Sequence, residues 1–213
     1  MTLTSPGSTL TGTNVLAGVY VGAYEATING VPTPVICDDY SDESYVPESW
    51  TANSSAFSDL SSTKWAAAYP ANYGALYNEA AWLIEQMINP VNSSQLGEIQ
   101  YAIWGLFNHS AITDLTSYNA QDGAIAQGWL NNAQGQAPSD SSSFTVYTPF
   151  IPPAPTCYSG AGQAVQCASS PPQEFITYNA SEPPFLAMLG ADLLLLGLAI
   201  GFLRRRAVLK FVR

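Results

Sequence analysis

Positive charge is almost missing from this chain. Residues 1–181 hold one lysine, Lys64, and no arginine, against fourteen carboxylates, a net charge of −13. Such a surface repels phosphate backbones and excludes nucleic-acid binding. Histidine is nearly absent too: His109 stands alone. A Cys37/His109 nucleophile–base pair would have no orienting group and no oxyanion motif beside it, so an enzyme is the remote reading. There is no zinc-ligand spacing, no phosphate-binding glycine loop and no internal repeat. Nothing in the sequence calls for a cofactor. Cysteine is scarce and odd in number (Cys37, Cys157, Cys167), which in an exported chain leaves one thiol over. Residues 1–12 lack a basic n-region and an apolar h-region, so an export signal is expected upstream of them.

What is present is a Ser-, Thr-, Asn-, Gly-, Pro- and Tyr-rich chain with enough Trp, Tyr, Val and Ile for a core. Residues 14–40 alternate in a β-rich pattern, with Asn29-Gly30 as a hairpin turn and Val35-Ile36-Cys37 as the returning strand. Residues 41–63 read as a polar loop. Tyr73, Leu76, Tyr77, Ala80, Leu83, Ile84 and Met87 follow helical spacing up to Pro90. A second helix is expected from Asn92 or Ser93 to Phe107, and a third over about 120–131. Phe144 to Tyr147 reads as a strand. The expected fold is α+β, a β-sandwich or barrel carrying an insert of about three helices, plus a C-terminal transmembrane helix. Residues 1–150 form the domain, 151–181 a Pro/Ser-rich stalk and 182–213 a tail.

Phe185 to Leu203 is a nineteen-residue apolar stretch, about the minimum for a membrane span. Arg204, Arg205 and Arg206 follow at once and hold that end in the cytoplasm by the positive-inside bias, so the preceding domain is expected outside. Ser181-Glu182-Pro183-Pro184, the apolar span and the arginines together resemble a PEP-CTERM sorting signal. That resemblance implies a Gram-negative envelope and an exosortase-type enzyme that cuts at the motif formed by Glu182 and Pro183. Ser181 stands where the first proline is usual, and Asp192 interrupts the span. An ionised carboxylate there costs a few kcal/mol, so protonation or a membrane partner is expected.

Gln100 falls between Leu96 and Ile103/Trp104 on the helical wheel, which turns its carboxamide into an apolar face. A buried amide without partners costs about 1–3 kcal/mol, so a backbone hydrogen bond or a reaction must account for it. The string Ile99-Gln100-Tyr101-Ala102-Ile103-Trp104, with Ile36-Cys37-Asp38 on a strand some sixty residues earlier, resembles the thioester domain of bacterial surface adhesins. The likeness spans roughly residues 14–150, with Ile99 where the family usually has Thr or Ser. It implies an internal thioester in which Cys37 supplies the sulfur and Gln100 the acyl carbon, shielded by Tyr101 and Trp104, and a lysine- or amine-bearing surface partner captured covalently. For the two rings, ordinary core packing is the competing account.

Cys157 and Cys167 sit in a Gly/Ser/Gln-rich segment short enough to close as a disulfide in an oxidising compartment. That would leave Cys37 as the odd thiol, whereas pairing Cys37 with either of them would abolish a thioester. Asp38, Asp39, Asp42 and Glu43 offer oxygen ligands but no ordered loop pattern, and they read as a solvated acidic loop rather than a metal site. Two function classes remain: an adhesin-like protein with a Cys37–Gln100 thioester, and a non-covalent structural or matrix protein of the envelope displayed by the same tail.

Overall fold

The computed structural model describes residues 1–150, 156–158, 164–166 and 171–179. The N-terminal strands are β1 (Thr2–Ser5), β2 (Asn14–Leu16), β3 (Val19–Val21), β4 (Ala23–Ile28), β5 (Val31–Cys37), β6 (Glu48–Ser49) and β7 (Ala52–Ala56). Five helices follow: α1 (Lys64–Ala68), α2 (Tyr73–Ile88), α3 (Leu96–Phe107), α4 (Ser110–Tyr118) and α5 (Ala120–Ala133). The chain then returns to strands β8 (Phe144–Pro149), β9 (Thr156–Tyr158), β10 (Ala164–Gln166) and β11 (Phe175–Tyr178). Seven of these strands make one antiparallel sheet in the order β6-β1-β4-β5-β11-β8-β7, curled into a half-barrel. The pairs β2–β3 and β9–β10 are separate two-stranded ribbons.

Local chemistry accounts for the first half of the sheet. Asn29 and Gly30 both adopt positive φ (51° and 86°) between the closing pair Ile28 and Val31, the backbone that a two-residue hairpin requires. The β4–β5 hairpin then zips in register to Ala23 and Ile36. The sheet and the helices share one apolar core, in which Leu3, Val35, Ile36, Leu83, Ile84, Ile99, Ile103 and Val146 are fully buried. Each such side chain contributes about 1.5–3 kcal/mol relative to exposure. The helical positions expected to face inward on α2 and α3, from Tyr77 to Met87 and from Leu96 to Phe107, do so.

Several sequence expectations change. Instead of a second β-layer, as a sandwich would have, the described residues hold one curled seven-stranded sheet and two small ribbons. The insert holds five helices rather than about three, with the short α1 and α4 added. The polar loop expected over 41–63 contains β6 and β7; the latter, Ala-Asn-Ser-Ser-Ala, is a sheet-edge strand whose side chains carry no apolar alternation. The stalk expected over 151–181 is overturned at its end. β11 lies between β5 and β8 with Phe175, Ile176 and Thr177 fully buried, and the compact unit runs to Asn179. Three buried residues fix this strand, too short a run to stand out after Pro171-Pro172.

Among the described residues no helix is long and apolar enough to cross a membrane. The expected span at 185–203, the Glu182-Pro183 motif and Arg204, Arg205 and Arg206 lie outside the described residues. So do Cys167 and the side chain of Cys157; β9 and β10 pair antiparallel, with Val165 opposite Cys157.

Candidate functional site

Cys37 ends β5, flanked by β4 on one side and β11 on the other, where it stands opposite Phe175. Gln100 occupies the second turn of α3. Both residues are fully buried, and the fold brings them into direct contact: Gln100 Nε2 donates to the backbone carbonyl of Cys37 at 2.7 Å. The amide oxygen is held from the other side, where the Gly22 N–H donates to Gln100 Oε1 at 3.3 Å. Gly22 sits at φ +91°, and a Cβ there would lie 2.8 Å from Leu96 Cδ2 and from Thr11 Oγ1. Only glycine lets the backbone approach the carboxamide this closely without strain.

The cysteine sulfur meets the loop that follows it. Cys37 Sγ donates to the Asp39 carbonyl at 3.3 Å and accepts from the Asp39 N–H at 3.4 Å. Burial pushes the thiol well up from its ordinary value, and the Asp39 and Asp38 carboxylates push it further. The Asp39 N–H and the Trp104 indole act in the opposite direction, favouring the charged sulfur.

Three rings stand beside the pair. Trp104 lies one helical turn beyond Gln100, with its centroid 5.0 Å from Tyr101 in an edge-on contact and 5.3 Å from Tyr40. Trp104 and Tyr101 are buried, whereas Tyr40 is half-buried and donates its hydroxyl to Asp114 Oδ2 at 3.0 Å. Beyond Trp104 opens a cleft of about 470 Å³, walled also by Tyr20, Tyr45, Asp42 and Glu43. Tyr101 and Trp104 are thus core residues of the cluster, and Trp104 alone of the two lines the cleft.

The acidic segment is solvated only in part, with Glu43 exposed and Asp42 half-buried. Asp38 and Asp39 are fully buried. Asp39 is tied down by Lys64 Nζ at 2.5 Å and accepts from the backbone of Ser41 and Asp42. Lys64 also meets Asp42 at 2.7 Å. Asp38 faces a second buried carboxylate, Glu174, whose own backbone carbonyl accepts from the Asp38 N–H at 3.3 Å. Glu174 accepts from the hydroxyls of Tyr77 and Thr148 and from the Lys64 N–H. Neither carboxyl oxygen of Asp38 has a hydrogen-bond partner. Burial first, and then the charges of Glu174 and Asp39, hold its proton on well above the usual carboxylate range.

The roles of Gly22, Tyr40, Lys64 and Glu174 escaped the sequence reading. Gly22 had a weak signal, a glycine within a β-rich run. Glu174 had none, because the strand it introduces was itself unread. His109 caps α4 at the surface and makes no bond to Cys37. Among the described residues no cluster is arranged to hold a metal ion. No protein-family model, curated protein or solved structure matches this chain.

Proposed function

We propose that this is an adhesin-like surface protein that captures amine-bearing partners through an internal thioester between Cys37 and Gln100. The observation that carries the reading is the fully buried carboxamide of Gln100, bonded to the backbone of Cys37 itself. In the condensation the Cys37 sulfur adds to Gln100 Cδ and the C–N bond breaks. The amide nitrogen leaves as ammonia, taking up the thiol proton. Capture reverses the polarity of the site: a partner amine attacks Cδ, the C–S bond breaks, and the proton lost from nitrogen ends on sulfur. The product is a secondary amide through Gln100 and a free Cys37 thiol. The Gly22 N–H stays aimed at Oε1 throughout and polarises the acyl carbon in both steps. The bond forms once per molecule, so this is single-use binding and not turnover.

The apolar span at 185–203 and its flanking arginines support display on a bacterial envelope, with the Glu182-Pro183 motif as the point of exosortase-type processing. Replacing Glu182 and Pro183 by alanine tests that part: retention of the uncleaved chain in the membrane supports it, and unchanged processing contradicts it.

One observation favours the non-covalent alternative, a structural or matrix protein of the envelope. Gln100 already has both a donor and an acceptor partner, as an ordinary buried amide does. Intact mass separates the two readings. A thioester lowers the mass by one ammonia, and methylamine then adds to the protein; a full-mass protein with a titratable Cys37 thiol is the matrix protein.

A further inference from the structure

The cleft beyond Trp104 holds about 470 Å³, the scale of a small-ligand site. Its walls combine two kinds of group. Tyr20, Tyr40, Tyr45 and Trp104 supply aromatic rings, with Tyr40 and Trp104 centred 5.3 Å apart. Tyr20 and Tyr45 stay 46% and 68% exposed, so the fold leaves these rings largely uncovered. Two of the phenol hydroxyls are already engaged within the protein: Tyr40 donates to Asp114, and Tyr45 to Glu43 Oε2 at 3.1 Å. What remains for a ligand is chiefly the ring surface. Asp42 and Glu43 place negative charge beside it. Lys64 is shared between Asp39 and Asp42, so it offsets Asp42 only in part, and Glu43 pairs with no cation among the described residues. No basic side chain among them lines the cleft. Aromatic rings and carboxylates both attract a cation, and residues 1–181 hold one lysine against fourteen carboxylates. A neutral sugar would gain from the rings but leave these charges unmatched.

We propose that this cleft is a binding subsite for an alkylammonium group, held among the rings of Tyr20, Tyr45 and Trp104 and countered by Asp42 and Glu43. Trp104 stands four residues beyond Gln100 on α3, about 6 Å along the helix axis, so the subsite neighbours Gln100 without including it. An ammonium bound there is protonated and does not react. It holds a second, free amine of the same molecule close to Gln100. On the thioester reading, on which this step rests, the captured partner therefore carries two amino nitrogens a few bonds apart, one held and one attacking. Holding one end makes attack by the other effectively intramolecular, which speeds capture without any change at the Cys37–Gln100 bond.

Tetramethylammonium probes the subsite alone, because it has no N–H and cannot open a thioester. NMR titration of the purified full chain should show saturable binding that weakens with salt. The neutral molecule tert-butanol, of similar shape, should bind about tenfold more weakly. Glu43 and Tyr45 are exposed, so Glu43→Gln and Tyr45→Ala should leave the fold intact. Each should weaken tetramethylammonium binding by about three- to tenfold. These results apply whether or not the thioester is present, so the subsite and the thioester reading can fail separately. In protein that carries the thioester, cadaverine should add about tenfold faster per amine than pentylamine, read by intact mass, and Glu43→Gln should remove the difference. Equal binding of tert-butanol, or tetramethylammonium binding untouched by both substitutions, would overturn the subsite. Equal rates for the two amines would overturn its part in capture.

Discussion

The ammonium of Lys64 lies 2.5 Å from Oδ2 of Asp39 and 2.7 Å from Oδ2 of Asp42, so the single lysine of residues 1–181 is held as a cation by two carboxylates. Burial works against that charge, but the bonds and charges of Asp39 and Asp42 outweigh it and raise Lys64 above the ordinary 10.5. A protonated amine is not a nucleophile. The one lysine of residues 1–181 is therefore kept unreactive as an amine, which suits the amine capture proposed for Cys37 and Gln100.

Acylation of Lys64 by an amine-directed reagent near pH 8 should be slow relative to a free lysine, and Asp42→Asn should speed it. Peptide mapping after timed labelling reads both rates. A raised lysine stabilises the fold fully below its unfolded value, and that contribution disappears as pH rises through the folded one. The ion pair should thus support the fold at neutral pH and fail only in alkali above 10.5.

Asp38 has a linkage of the same sign, set in a lower pH window. Its folded form keeps a proton that the unfolded chain releases in the ordinary carboxylate range, so stability falls as pH climbs from that range through the raised folded value. Asp38→Asn is neutral at every pH and should flatten this slope. Thermal melts of the two proteins from pH 4 to 8 should converge at the acid end and separate towards neutrality, with the variant the more stable. Parallel curves would show Asp38 to be ionised despite its burial.

Gly22→Ala should destabilise the protein by about 1–3 kcal/mol, since φ +91° is strained for any side chain and the new methyl meets Leu96 and Thr11. It should also pull the N–H away from Gln100 Oε1 and slow both thioester formation and aminolysis. Chemical denaturation measures the first effect and timed intact mass the second. A stable Gly22→Ala protein with normal kinetics would remove Gly22 from the site.

Because β11 fills the space between β5 and β8, a chain ending at residue 150 should not fold, while one ending at 179 should. The shorter chain leaves an open edge along Val35, Ile36 and Cys37 and removes Glu174 from beside Asp38. Amide dispersion in NMR spectra of the two chains gives the answer directly.

These contrasts also show what could be read from residues alone. The β4–β5 hairpin was legible because Asn29-Gly30 carries the turn chemistry in two adjacent positions. Helices α2, α3 and α5 were legible through their spacing, and the Cys37–Gln100 association through the string around Gln100. β1, β7 and β11 were not. They are short, and β7 sits at the sheet edge with polar side chains; their pairing comes from backbone bonds made to strands far away in sequence. The acidic segment misled for a related reason. Asp38 and Asp39 are buried because Lys64 and the residues around Glu174 close over them, and neither partner is local.

The central claim is a covalent bond between Cys37 and Gln100, and intact mass of the purified, non-reduced protein tests it most directly. A mass one ammonia below that of the disulfide-corrected sequence is expected, with methylamine adding at Gln100 and freeing the Cys37 thiol. A full sequence mass, with Cys37 open to alkylation before any amine is added, would contradict it.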